Sequence, residues 1–192
     1  NDGTLNLESD SNEYASLIVG EQVYGRDIYD DLDTNQTASS EILTTGTDNI
    51  TYKRYVNAVG TNAWDLIGSP VEGQSISGFA STNTSGTATL ATNGSQYAIG
   101  VYDNSQDEWT NYTTGTVGGA GNFDIGKGYA MASVSGGTGL LAFTGTIATT
   151  DQTQAIIDND AANSGSGRRW DLIANPFPSF INANDDAHAS NN

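Results

Sequence analysis

Imidazole and thiol chemistry are almost absent from this sequence. Its one histidine, His188, stands in the polar tail 182–192, and it has no cysteine. A serine or cysteine nucleophile needs a base that is packed in place and oriented by a third group. A lone histidine near the end of a polar tail does not offer that. Disulfides and thiolate zinc sites are excluded outright. Carboxylates are plentiful, with Asp+Glu 23, but only Glu8, Glu13, Glu21, Glu41, Glu72 and Glu108 are glutamates. In so acidic a chain some carboxylate pair always lies at a glycosidase-like separation, so the count alone carries no hydrolase. The expectation is a non-catalytic protein.

Oxygen ligands for a hard cation are better placed. Asp31, Asp33, Asn35 and Thr37 alternate along one acidic loop, as a Ca²⁺ loop requires. The match to a helix–loop–helix calcium site is incomplete. Gln36 stands where the turn glycine belongs, and Glu41 falls one place before the bidentate position. The alternative is a solvated acidic turn. Ca²⁺ is the one cofactor the sequence points to. The acidic groups at Asp103 with Asp107 and Glu108, at Asp158 with Asp160 and at Asp185 with Asp186 are weaker candidates.

Aromatic and amide side chains gather around 102–112. Trp109, Tyr112 and Tyr102 lie close to Asn104, Gln106 and Asn111. Exposed aromatic faces stack on sugar rings, and neighbouring amides bond the hydroxyls. The competing reading is ordinary cross-strand packing within a hairpin. Trp64 and Trp170 are expected in the core, because each belongs to a repeated strand motif.

The elements that must position these groups read as strands. Ile50, Tyr52, Arg54 and Val56 alternate with Thr51, Lys53 and Tyr55. A run at 14–19 ends at Gly20. Segments 97–102 and 108–113 flank the loop 103–107 as a hairpin, and segments 129–134 and 140–147 flank 135–139 as a second. The best helix candidate is short, 151–157, and a strand explains it equally well. Segments 27–40, 83–94 and 158–167 read as loops.

Trp64-Asp-Leu-Ile-Gly-Ser-Pro70 returns as Trp170-Asp-Leu-Ile-Ala-Asn-Pro176, with five of seven positions identical. The inference is two copies of one β-unit. Trp and Leu would face one way, Asp and Ile the other, and the proline would end the strand. The fold class expected is all-β, an antiparallel β-sandwich-like module with hairpins and an internal duplication. Its parts would be N-terminal strands at 1–60, a main unit at 61–150 and the start of a truncated second copy at 165–192.

The charge balance narrows the partners. Lys+Arg 6 against Asp+Glu 23 gives a net charge of -17. The only adjacent basic pairs are Lys53-Arg54 and Arg168-Arg169, which disfavours nucleic acid and anionic membrane surfaces. No apolar run is long enough to span a bilayer. The chain opens on Asn1 and reads as processed or excised from a longer one. Five Asn-x-Ser/Thr sequons, at Asn35, Asn49, Asn83, Asn93 and Asn111, arise by chance in a sequence this rich in Asn and Thr.

Several of these runs together resemble a known family. Tyr52-Lys-Arg-Tyr-Val56 followed by Trp64-Asp-Leu-Ile-Gly-Ser-Pro70, and Gly126-Lys-Gly-Tyr129 followed by Leu141-Ala-Phe-Thr-Gly145, resemble the C-terminal regions of Bacteroidetes proteins exported by the type IX secretion system. Trp170-Asp-Leu-Ile-Ala-Asn-Pro-Phe-Pro-Ser179 is similar to their W-N-L-I-G-N-P-Y-P-S element. Gly3-Thr-Leu-Asn-Leu7 and Ser16-Leu-Ile-Val19 fit their upstream strands. The resemblance implies a secreted or surface-attached, multimodular parent, often an adhesin or a polysaccharide-degrading enzyme. The expected role is recognition or attachment, with a polysaccharide or cell-surface glycan as partner beside other modules of the same chain. The alternative is a structural spacer.

Overall fold

The computed structural model describes residues 6–8, 49–60, 64–87, 89–148, 150–157 and 170–178. Among these the chain is all-β, with mainly antiparallel strands and one α-helix. The run 14–19 and the Ca²⁺ candidates Asp31, Asp33, Asn35 and Thr37 lie outside the described residues.

One sheet joins β1 (Asn6–Glu8), β2 (Ile50–Tyr55) and β8 (Leu140–Gly145) in that order. In β2 the expected alternation holds: Ile50 and Tyr52 are buried, and Val56 beyond the strand is fully buried. β8 runs antiparallel to it, with Tyr52 opposite Phe143 and Ile50 opposite Gly145. β1 joins β2 in parallel. The second sheet contains β3 (Asp65–Ile67), β7 (Tyr129–Met131), β5 (Gln96–Asp103) and β4 (Thr92–Asn93), and β6 (Glu108–Thr113) pairs with β5. The β5–β6 hairpin is the one expected. β3 stops ahead of Ser69-Pro70, also as expected.

The other expected hairpin does not form. β7 pairs with β3 and β5, whereas β8 pairs with β2, so the loop 132–139 crosses between sheets. The exit of β2 captures that loop. Ser133 Oγ–H donates to the Val56 carbonyl at 2.7 Å, Ser133 N–H to Asn57 O at 2.8 Å, and Val56 N–H to Gly139 O at 2.8 Å. Stitched there, the chain leaves β7 and arrives beside β2.

The helix α1 (Ile76–Thr84) falls where no helix was expected, and residues 151–157, the helix candidate, have no helical turn. Ser75 caps α1, its Oγ accepting from Gly78 N–H at 3.1 Å. Ile76, Phe79, Ala80 and Asn83 recur at helical spacing and are buried. Phe79 meets Phe143 of β8 at 4.6 Å between ring centroids and Phe123 at 5.2 Å, and Phe123 meets Tyr129 of β7 at 4.9 Å. This aromatic cluster joins helix and both sheets into one core.

The repeated heptads share neither a secondary structure nor a pairing site. Asp65–Ile67 is a strand on Tyr129–Met131, whereas the second copy makes one antiparallel bridge to the residues just before that strand, Ile173 to Lys127. There Gly128 N–H donates to Leu172 O at 2.7 Å and Ala174 N–H to Gly126 O at 2.8 Å. Gly128 leaves room for Leu172, whose side chain fills the space a Cβ would take. The expectation that both indoles are buried fails: Trp64 is 38% exposed and Trp170 70%.

Candidate functional site

Four strands place one residue each in a single row across the second sheet. Leu66 of β3 lies opposite Ala130 of β7, Ala130 opposite Gly100 of β5, and Gly100 opposite Asn111 of β6. Cross-strand partners share a face, and so do residues two apart in a strand. Trp64 therefore flanks the row at one end, and Trp109, paired with Tyr102, at the other. The opposite face of these strands carries Ile67, Ile99, Tyr129 and Met131, all buried in the core.

The row opens to solvent at its ends. Leu66 is 57% exposed and Trp109, beside Asn111, 46%, whereas Ala130 and Gly100 at its centre are buried. Leu66 and Trp109, with Trp64, Gly100, Asn111 and Ala130, line a concavity of about 430 Å³. Its floor is low because its central residues are small. A Cβ on Gly100 would stand 3.4 Å from Trp109 Cε3 and 3.5 Å from Asn111 Oδ1. Asn111 supplies the amide at the rim and is fixed by an Nδ2–H bond to Tyr97 O at 2.8 Å. The Tyr102 and Trp109 rings lie 5.3 Å apart at 47°, and Tyr102 O–H donates to Asp107 Oδ1 at 2.8 Å. Such a trough can stack on a flat partner with C–H faces and bond its edge through the amide.

Of the residues picked from sequence, Trp109, Asn111 and Tyr102 meet on this face. Tyr112 does not. Strand alternation turns it to the other side, where it packs against the core and burial raises its phenol pKa, with the Asp124 charge adding. Asn104 lies in the hairpin turn and donates through Nδ2 to Ile157 O at 2.7 Å and to Asp171 Oδ2 at 3.4 Å. Beside it, hydrogen bonds from the Ser105 hydroxyl and N–H hold the Asp103 carboxyl below the usual carboxylate range.

Trp64, Leu66, Gly100 and Ala130 escaped sequence reasoning. The alternation Trp64-x-Leu66 was legible and placed both on one face. The small residues at Gly100 and Ala130 were the signal that this face is a floor and not a core.

The described residues contain no group of three or more His, Cys, Asp or Glu side chains placed to hold a metal. No helix among them is long and apolar enough to cross a membrane. Glu8-Ser-Asp-Ser-Asn-Glu13 has the Glu-x-Asp-x-x-Glu spacing of some carboxylate catalysts. Residues 9–13 lie outside the described residues. Asn83, one of the five sequons, is 3% exposed and cannot take a glycan in the folded chain. No protein-family model, no curated protein and no solved structure matches this chain.

Proposed function

We propose that this chain is a non-catalytic recognition module that binds polysaccharide through the Trp64–Trp109 trough. One observation carries the reading: two exposed indoles flank a shared row whose centre is cleared by Gly100 and Ala130. Leaving two indoles part-exposed and a leucine exposed on one sheet face forgoes some apolar burial. Aromatic faces grouped in this way offer the stacking surface that a sugar ring uses. The net charge of -17 favours an uncharged chain over a sulfated one. The resemblance to exported C-terminal regions supports a secreted or outer-surface setting within a multimodular parent.

The test is affinity electrophoresis of the native chain and of Trp64→Ala and Trp109→Ala in gels containing hydroxyethylcellulose, xyloglucan, galactomannan or laminarin. Retardation in at least one gel, reduced by either substitution, is the expected result. Retardation untouched by both substitutions moves the site elsewhere. Free migration of the native chain in every gel favours a structural spacer.

A further inference from the structure

The sheet face that forms the trough does not end at Trp109. Tyr102, two residues beyond Gly100 in β5, extends that face, and its ring lies 5.3 Å from that of Trp109. At this end of the sheet, beside Gly128, a second cavity of about 350 Å³ opens. Tyr102 lines it from the trough face, Asp103 and Lys127 come from positions that alternate to the other face, and Asn104, Gln154 and Asp171 complete its polar lining. Where the trough offers one amide, this cavity offers carboxylates, amides and an ammonium group.

Its outer wall is the second Trp-Asp-Leu-Ile copy. Asp171 Oδ2 accepts from Ile157 N–H at 3.0 Å and from Asn104 Nδ2–H at 3.4 Å, while Leu172 lies over Gly128. The repeated heptad thus completes a cavity that the first unit leaves open.

We infer that trough and cavity are two subsites of one glycan site, joined across Tyr102, and that the cavity holds an uncharged sugar unit by its hydroxyls. This rests on the reading of the trough as a stacking site. The chemistry follows from the lining. A carboxylate accepts from hydroxyls, an ammonium donates to them, and amides do both. Stacking gives affinity with little selectivity, and a few placed polar groups fix orientation. An anionic sugar is disfavoured locally as well as globally. Asp103 and Asp171 line the cavity, and the Lys127 ammonium already has Asp124 Oδ2 at 3.5 Å.

The test measures affinity by calorimetry for oligosaccharides of increasing length, cut from whichever neutral polymer retards the native chain. Native protein is compared with Lys127→Ala/Gln154→Ala and with Trp109→Ala, and each variant's melting temperature confirms that it folds. Affinity should climb with length and then level off. The double variant should lose roughly tenfold on the long oligosaccharides, with the loss confined to them, whereas Trp109→Ala should weaken every length. A double variant that binds long chains like the native protein overturns the second subsite and leaves the trough intact. So does an equal loss at all lengths, or stronger binding of alginate than of neutral chains. If no neutral polymer retards the native chain, the stacking reading falls and the second subsite with it.

Discussion

The Asn83 side chain pairs with Ala142 as a neighbouring strand would: its Oδ1 accepts from Ala142 N–H at 2.8 Å, and its Nδ2–H donates to Ala142 O at 3.0 Å. A bare strand edge is a template for unwanted pairing. Two residues along, Gln74 Oε1 accepts from Thr144 N–H at 2.6 Å, and beyond it Glu72 exchanges backbone bonds with Thr146. Side chains and a loop thus close the β8 edge where no strand is added.

Replacing Asn83 by Ala removes both bonds to Ala142 and leaves its part-buried N–H and carbonyl without that partner. Buried groups left unpaired cost about 1–3 kcal/mol. We expect Asn83→Ala to lower stability by about 2–3 kcal/mol in urea titrations with an unchanged m-value. A loss under about 0.5 kcal/mol means that water or another group replaces the amide.

Alkaline pH should weaken the fold through Tyr129. Burial pushes its phenol up to about 12 from the ordinary 10.0, reinforced by the charges of Asp124 and Tyr112 and opposed by the N–H that Asp124 donates to it. The folded state therefore favours the neutral phenol. That stability is intact below pH 10 and is lost as pH rises through about 12. The full effect is about 2–3 kcal/mol. Tyr129→Phe should make the decline between those values shallower without abolishing it, because burial raises the Tyr52 and Tyr112 phenols too. An unchanged profile in Tyr129→Phe assigns the alkaline loss to other groups.

Tryptophan substitutions should separate surface from core. Trp64 is 38% exposed, whereas Phe79 is fully buried at the centre of the aromatic cluster. Trp64→Ala should cost under about 1 kcal/mol, and Phe79→Ala about 3–5 kcal/mol. Comparable losses in thermal unfolding would return Trp64 to the core.

Local pattern made part of this legible. Alternation named the buried side of β2, the turn residues marked the β5–β6 hairpin, and proline marked the end of β3. The helix was hidden because Ser, Gly, Thr and Asn dominate it. Its formation rests on the Ser75 cap and on Phe79 packing against Phe143, a residue distant in sequence. The β7 and β8 pairings were hidden because the captured loop at Ser133 depends on the Val56 carbonyl. For Trp64, alternation tells which residues share a face but not which face is covered. That is decided by Gly100 and Ala130 on neighbouring strands.

Gly100 offers the sharpest separation of site from fold. Its backbone is not in the left-handed region, and its virtual Cβ meets its nearest neighbours at 3.4–3.5 Å, ordinary contact distances. Gly100→Ala should therefore fold, and relief of the glycine's entropic cost in a strand should raise stability by up to about 1 kcal/mol. The added methyl nevertheless stands on the floor of the trough, between Trp109 and Ala130, where a stacked ring would lie. Binding should weaken in Gly100→Ala and disappear in Gly100→Val, whose branched side chain fills more of the 430 Å³ concavity. Gel retardation and melting temperature, measured on the same samples, check both halves. Variants that melt at or above the native temperature and no longer bind place recognition on this row. A Gly100→Val protein that folds and is retarded like the native chain removes the trough as the binding site.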